Sequence, residues 1–259
     1  MVKNLFLLIF CISVTQISFA QFNTVIRTGR PGQAIGAFTV GKNVLQFQQG
    51  LEYGGITNNN TAPNTFISNH VVRYGIAETV EISALVDYQN DHKNENNVII
   101  NKSGISNLHL GFRVHINNQK GILPTTGFQW RLKIPNTSND YPTQNIGSVM
   151  IFVANWSLPK DCGLSTNWIY ATSGNNTPAT GKYVINFSFP IHNKWSGFIE
   201  NYGQLQQSIF QTRFDGGVAY LINNNVQLDA SAGFGNNQGV KDYFVSTGIS
   251  WRLLPKRKK

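Results

Sequence analysis

Charged residues are scarce in this chain of 259 residues. Asp, Glu, Lys and Arg make up 13% of it, against roughly 25% in a typical soluble domain. Apolar residues do not fill the gap, since the mean hydropathy is −0.19. The chain also lacks the several apolar runs of about 20 residues that a bundle of membrane-spanning helices needs. Aromatic residues reach 12% and recur periodically, which argues against a highly charged disordered chain.

The first twenty residues have the pattern of a secretory signal peptide. Lys3 supplies a positive start, residues 5–14 are almost wholly apolar, and the small-x-small triplet at 18–20 resembles a cleavage site before Gln21. Such a segment is removed on export and is too short to anchor a protein in a membrane. We therefore expect residues 1–20 to be a signal peptide of a Gram-negative bacterium.

Cysteine is nearly absent, with two residues in the whole chain. Cys11 belongs to the expected signal peptide, so the exported chain keeps only Cys162. One cysteine cannot form an internal disulfide, which excludes a disulfide scaffold. Because no cluster of Cys and His accompanies Cys162, the sequence predicts neither a metal site nor a cofactor.

Basic residues outnumber acidic ones, and the formal net charge is +9. Part of the excess is the tail at residues 256–259 (Lys-Arg-Lys-Lys). Such a run can bind nucleic acid, but export makes a nucleic-acid partner implausible. We interpret residues 255–259 as a solvated basic tail.

Beyond residue 40, polar and apolar residues alternate with period two, as in β-strands that have one polar and one apolar face. In residues 226–234, for example, Val, Leu, Ala, Ala and Phe alternate with Gln, Asp, Ser and Gly. No segment shows a sustained helical period. The pattern predicts twelve strands, at about 42–54, 65–76, 79–89, 104–116, 123–134, 144–156, 162–171, 181–189, 194–202, 211–221, 225–234 and 242–253.

The predicted strands suit a membrane. Most span nine to thirteen residues, and a tilted strand needs about nine to eleven to cross a bilayer. Short connections alternate with longer polar ones along the chain, which is typical of an outer-membrane barrel with tight periplasmic turns and longer external loops. The predicted fold is all-β: an up-and-down antiparallel transmembrane β-barrel of about 12 strands over residues 41–254, with both chain ends on the periplasmic side.

The two faces of such a barrel have different chemistry. Tyr and Trp residues fall mostly near strand ends, where their apolar bodies and polar tips suit the membrane–water interfaces. An Arg or Lys on the lipid face would cost about 2–4 kcal/mol at mid-depth, so the charged residues are expected to line the lumen, where opposite charges can pair. The lumen candidates on the strands are Glu52, Arg73, Glu81, Asp87, Arg113, Arg131, Lys133, Glu200, Arg213, Asp215, Asp229 and Arg252.

Residues 21–40 are the least strand-like part of the exported chain. They contain Pro31 and three glycines, which make a regular ladder improbable. They also contain Arg27 and Arg30, with no acidic residue nearby in sequence. We expect this irregular segment to plug the mouth of the barrel, with one of the two arginines paired to a lumen acid such as Glu81 or Glu200.

Several short motifs resemble a family of bacterial outer-membrane proteins labelled "putative MetA-pathway of phenol degradation". They are the Arg-Pro-Gly at residues 30–32, the strand-like segment 45–53, Phe-Ile-Glu-Asn-Tyr-Gly at 198–203, and the last two predicted strands. The similarity covers nearly the whole exported chain. It implies an outer-membrane barrel that handles small aromatic or apolar compounds.

Evidence for catalysis is weak in this sequence. His109 and His115 would share the inner face but lie roughly 20 Å apart along a strand, too far for one metal ion or one catalytic dyad. His70 would face lipid close to Ser68, yet no third group for a triad can be identified. We therefore predict no enzyme activity and no catalytic residues.

The sequence thus predicts a protein of the outer membrane that passes or binds small molecules by passive diffusion through a charge-lined lumen. Membrane lipid, an unidentified solute and the outer-membrane assembly machinery are its expected partners. Two alternatives stay open. One is a structural or adhesin barrel whose lumen is filled by side chains, and the other is a secreted soluble β-sandwich.

Overall fold

The computed structural model describes residues 23–57, 64–95, 98–237 and 240–255. The predicted signal peptide, residues 1–20, and the basic residues 256–259 lie outside these ranges. The described residues form twelve strands: β1 (Leu45–Thr57), β2 (Asn64–Gly75), β3 (Val80–Glu95), β4 (Val98–Asn117), β5 (Thr125–Lys133), β6 (Gly147–Ser157), β7 (Gly163–Thr172), β8 (Thr180–His192), β9 (Trp195–Gln206), β10 (Ile209–Asn223), β11 (Val226–Asn237) and β12 (Val240–Leu253).

The strands close into a barrel, as the sequence predicts. Each strand pairs antiparallel with its neighbours in the chain, and β1 pairs with β12 to complete the ring. The closing register joins Leu45 to Leu253 and Thr57 to Lys241. Closure removes the exposed edges that would otherwise pair with other chains, and a soluble sandwich of two sheets is excluded by this topology.

The barrel is polar inside and apolar outside. Gln46, Glu81 and Ser250 are almost completely buried, although such polar side chains are mostly exposed in soluble proteins. In contrast, Ile199 and Phe234 are 60% and 65% exposed on the outer surface. A large apolar surface surrounding the whole molecule is the arrangement that a lipid bilayer stabilises.

Tyr and Trp side chains contribute to this outer surface. Tyr53, Trp168, Trp195 and Tyr243 all have exposed rings, and Tyr53, Trp195 and Tyr243 lie near strand ends. Tyr202 does not belong to this surface, because it shares the inward phase of Glu200 and borders an internal cavity. Its place near a strand end could not reveal on which face its ring lies.

The expected alternation of short and long connections is only partly correct. The sequence predicts long polar loops at residues 90–103, 203–210 and 235–241. In the structure these segments are mostly extensions of paired strands. Only two residues separate β9 from β10. Beyond the membrane both faces of a hairpin meet water, so polar side chains are tolerated there on either face. The backbone hydrogen bonds between the two strands can therefore continue. Long connections do occur at residues 134–146, between β5 and β6, and at residues 173–179, between β7 and β8.

Helical structure is minimal in the described part of the chain. A single 3₁₀ turn at Pro159–Asp161 connects β6 to β7. Within the described ranges, no helix has the length and apolar character needed to cross a bilayer.

Residues 23–44, which precede β1, run through the interior of the barrel. Ala37 is fully buried and packs against Ile151 and Val153 of β6. At the other side of the lumen the backbone of Gly29 donates a hydrogen bond to Gln48 of β1. The segment therefore contacts opposite walls of the barrel, and we call residues 23–40 the inner segment.

Candidate functional site in the barrel lumen

An ion pair anchors the inner segment close to where the barrel closes. The Arg30 guanidinium Nη2 lies 3.1 Å from Oδ1 of Asp229 on β11 and donates to the Ser246 hydroxyl at 2.8 Å. Gly50 of β1 and Gly248 of β12 are cross-strand partners, and a Cβ atom on either would collide with the guanidinium. Two glycines thus leave the slot in which Arg30 lies.

Arg30 pairs with a lumen acid, as expected, but the two acids named as examples are the wrong ones. Arg30 pairs with Asp229 rather than with Glu81 or Glu200. The Arg27 guanidinium lies 3.6 Å from the centroid of the Phe38 ring, a cation–π arrangement within the inner segment itself. Sequence order could not distinguish among the inward acids, because their positions around the ring depend on strand register.

Glu200 of β9 holds the backbone of the inner segment. Its two carboxylate oxygens accept hydrogen bonds from the amides of Gln33 at 2.7 Å and Ala34 at 2.9 Å. The Asn186 side chain of β8 donates to the same carboxylate at 3.0 Å. A carboxylate that accepts two adjacent amides fixes a turn of chain through charge-assisted hydrogen bonds.

A second acid, Glu81 of β3, connects the wall to the end of the inner segment. Arg73 donates to both of its oxygens, at 2.7 and 2.8 Å, and the Val40 amide donates at 2.8 Å. The Arg113 guanidinium lies 3.6 Å away. All three charged side chains are at least 95% buried, so breaking this cluster would leave a buried charge without its partner.

Wall side chains satisfy the remaining backbone groups of the inner segment. Asn167 of β7 accepts from the Ile35 amide at 2.7 Å and donates to the Ile35 carbonyl at 3.0 Å. The Ala37 amide donates to Asn155 at 2.6 Å, and the Phe38 carbonyl accepts from both Arg73 and Arg113. Because buried backbone groups need partners, these contacts replace the strand ladder that the segment lacks.

Three other lumen candidates also have partners. Asp87 accepts hydrogen bonds from the amides of Asn69 and Asn107. Arg213 pairs with Asp242 at 2.7 Å. Arg252 donates to the carbonyls of Asn23 and Thr24 at 2.9 Å, close to the start of the described inner segment.

Of the last four candidates, Lys133 is half-buried at the end of β5, and the other three line internal space or are buried without a donor. Glu52 and Arg131 border the same cavity. Asp215 is 93% buried, as its exposed fraction is 7%, and neither carboxylate oxygen meets a donor among the described residues. It lies opposite Glu200 in the register of β9 and β10.

The inner segment separates the internal space into parts. On the side of the chain ends, a cavity of about 400 Å³ is bordered by Arg30, Phe38 and Ser188. On the other side lie two cavities of about 330 and 340 Å³, both bordered by Gln33, Ile35 and Arg131. The short β-turn ends of outer-membrane barrels face the periplasm, so the two smaller cavities lie on the external side.

The loop between β5 and β6 folds over the external end. The Tyr141 hydroxyl donates to Asp91 of β3 at 3.0 Å, and the Asp140 carboxylate accepts from the Ser103 amide at 2.8 Å. Burial, together with the hydrogen bond to Asp91, raises the pKa of Tyr141. The loop is therefore attached to the β3–β4 hairpin rather than free above it.

Sequence reasoning missed the uncharged lumen residues. Gln48, Asn155 and Asn167 form hydrogen bonds with the inner segment, and Asn186 donates to Glu200, one of the acids that hold it. Their inward phase along the strands is a signal that could have identified them. Selecting lumen residues by charge alone left them out.

Outside the lumen, the groups considered for catalysis have a simple arrangement. Ser68 and His70 form a hydrogen bond of 2.9 Å on the outer surface, whereas His115 stacks on Phe38 inside the barrel. The described residues include no group of three or more His, Cys, Asp or Glu arranged to hold a metal ion.

A closed twelve-stranded barrel with an apolar exterior and a polar, partly filled interior is a bacterial outer-membrane β-barrel. The family model described as "Putative MetA-pathway of phenol degradation" matches residues 28–253, and the chain belongs to this family. A comparison with curated proteins finds no match.

Solved structures share the barrel architecture at low sequence identity. An outer membrane channel from Pseudomonas putida F1 has a TM-score of 0.63 and 10% identity, over 86% of this chain and 99% of that one. The NanC porin has a TM-score of 0.56 and 10% identity, over 79% and 100%. The translocator domain of the autotransporter NalP from Neisseria meningitidis has a TM-score of 0.51 and 14% identity, over 82% and 89%.

Proposed function

We propose that this protein is an outer-membrane channel that passes or binds small molecules, including aromatic or apolar compounds, by passive diffusion. The observation that carries the proposal is the occurrence of internal cavities on both sides of the inner segment, bordered by charged side chains. Family membership supports it through the phenol pathway in the family's description. Two of the proteins with similar structures are described as a channel and a porin.

In this proposal the inner segment is a plug. It is held by side-chain contacts, with Arg30, Glu200 and Glu81 as its charged attachment points. Such contacts can be broken without disrupting the barrel ladder, since no strand hydrogen bond depends on them. Displacement of the segment would join the cavities into a path for solute.

The other members of the set act as wall residues. Paired charges such as Arg213 and Asp242 stabilise the lumen, while Glu52 and Arg131 border the space open to solute. Membrane lipid covers the outer surface, and the outer-membrane assembly machinery inserts the barrel. The chemistry is transport without catalysis.

The filled lumen also favours a second candidate, a structural or adhesin barrel that passes nothing. Ala37, Ile151 and Val153 form a buried apolar cluster between the inner segment and the wall. If the inner segment never leaves, the cavities on its two sides stay separate and no solute crosses.

Swelling of proteoliposomes distinguishes the two candidates. The full chain and a variant without residues 22–38 are reconstituted, and swelling is followed in neutral solutes of increasing size, with protein-free liposomes as the control. The channel proposal predicts swelling above the control in small solutes, and faster swelling for the deletion variant. Absence of swelling for both proteins, each shown to be folded, would leave the structural barrel.

A further inference from the structure

One of the two external cavities has an unusual lining. It has a volume of about 340 Å³ and lies between β4–β5 and β8–β10, with Gln33 and Ile35 of the inner segment at its base. This volume falls within the roughly 300–1,000 Å³ typical of sites for small molecules. The cavity is separate from the ion pairs of Arg30 and Glu81, although Asn167 both borders it and holds Ile35.

Cationic groups on its wall have no acidic partner. Arg131 of β5 and Lys182 of β8 both border the cavity, and neither forms an ion pair within the described part of the chain. The Nε atom of Arg131 and the Nδ1 atom of His109 are shielded from solvent without a hydrogen-bond partner. Leaving buried polar atoms of this kind without a hydrogen bond is costly.

The other charged side chains of the lumen do not neutralise the positive charge of Arg131 and Lys182. Arg213 borders the same cavity but is paired with Asp242. Asp87 of β3 attracts Arg131 but, among the described residues, forms no ion pair with it, and it already accepts hydrogen bonds from the side chains of Asn69 and Asn107. The cavity thus presents a net positive wall, in a lumen where Arg30, Arg73 and Arg113 have all found acids.

The wall between these two cations is apolar. Val149, Ile151, Ile169 and Val184 border the cavity from β6, β7 and β8. An inorganic anion would lose its water against these side chains and gain nothing from them. A neutral hydrocarbon, in turn, would leave the cationic donors without partners.

We infer that this cavity is a binding site for a small organic anion that joins a carboxylate or phenolate to an apolar ring or chain. The anionic group lies between Arg131 and Lys182, and the apolar part lies against Ile151 and Ile169. Lys182 is exposed at the external end of β8, where a positive group also attracts anions from solution. The inference rests on the proposed channel function and specifies its class of solute.

Binding of benzoate to the folded, detergent-solubilised full chain tests this inference by calorimetry. Benzamide has the same ring without the charge, and acetate has the carboxylate without the ring. The site predicts that benzoate binds at least about tenfold more tightly than benzamide, since a hydrogen bond to a charged group contributes about 1.5–3 kcal/mol net. It also predicts tighter binding than acetate, which has no apolar ring to bury against Ile151 and Ile169. Equal affinity for benzoate and benzamide would overturn the inference.

Substitutions locate the binding. Arg131→Gln and Lys182→Gln should each weaken benzoate binding about tenfold, whereas Lys120→Gln, in the turn between β4 and β5, should leave it unchanged. Lys182→Glu should abolish benzoate binding and favour benzylamine, which carries a positive charge. Each variant is first shown to migrate as a folded barrel on an unheated gel. Unchanged benzoate affinity in folded Arg131→Gln and Lys182→Gln proteins would contradict the assignment.

Failure of this site and failure of the channel give different results. If neutral solutes swell proteoliposomes but benzoate does not bind, the channel stands and the anion site is wrong. If benzoate binds at Arg131 and Lys182 but no solute crosses, the site is real and transport is wrong.

Discussion

The guanidinium of Arg30 lies 3.1 Å from the carboxylate of Asp229, 199 residues away in the chain. This contact joins the inner segment to β11, and the Ser246 hydroxyl of β12 completes it. The inner segment is therefore attached to the wall beside the junction of β1 and β12, where the barrel closes.

Gly50→Ala should release this contact. The added Cβ would meet atoms of the Arg30 guanidinium, so the side chain must leave its slot. Loss of a charge-assisted pair lowers the protection of amides in residues 33–40 from hydrogen exchange by roughly ten- to a hundredfold. Mass spectrometry of peptides from the folded barrel measures this change.

Gly181→Ala provides the matched control, because a Cβ at Gly181 would make only an ordinary contact, 4.0 Å from the Leu205 carbonyl oxygen. It should leave exchange of the inner segment unchanged. Equal protection in the Gly50→Ala and wild-type proteins would show that Arg30 does not hold the segment in place.

Glu81→Gln should strongly destabilise the protein. It leaves Arg73 and Arg113 buried without their carboxylate, and breaking a buried pair from one side costs about 3–5 kcal/mol. Urea unfolding of the barrel in lipid vesicles gives the free energy of unfolding. The double variant Arg73→Met with Glu81→Met should recover part of the loss, and a double variant less stable than Glu81→Gln would argue against this cluster.

An arginine on each face of the same strand tests the orientation of the wall. Ile185 of β8 is 43% exposed on the outer surface, and Ile185→Arg should cost about 2–4 kcal/mol if it lies near mid-membrane. Ser188 faces the cavity on the periplasmic side, so Ser188→Arg should be nearly neutral. Urea unfolding in lipid vesicles measures both variants. Equal losses of stability would show that the lipid and lumen faces of β8 are wrongly assigned.

Much of the fold could be predicted because the alternation of polar and apolar residues is local. Residues 226–234 show by themselves which side chains face lipid and which face the lumen, and all twelve predicted strands occur. Strand ends were less certain, as at 90–103, since a polar sequence can extend a hairpin as readily as form a loop.

The contacts of the inner segment could not be predicted in the same way. Arg30 and Asp229 are 199 residues apart in the chain. Whether Arg30 meets Asp229 or Glu200 depends on the strand register, which places these acids around the barrel. Glu200 instead binds backbone amides, for which residue types give no signal. The slot between Gly50 and Gly248 is likewise visible only when the two strands are paired.

Single-channel conductance in planar bilayers tests the central claim, that residues 23–40 plug a lumen able to conduct. The full chain is compared with the variant that lacks residues 22–38, both shown to be folded by the difference in gel migration between heated and unheated samples. The account predicts a clearly higher conductance for the deletion variant, with Arg30→Ala showing a smaller increase in the same direction. A folded deletion variant with the conductance of the full chain would contradict it.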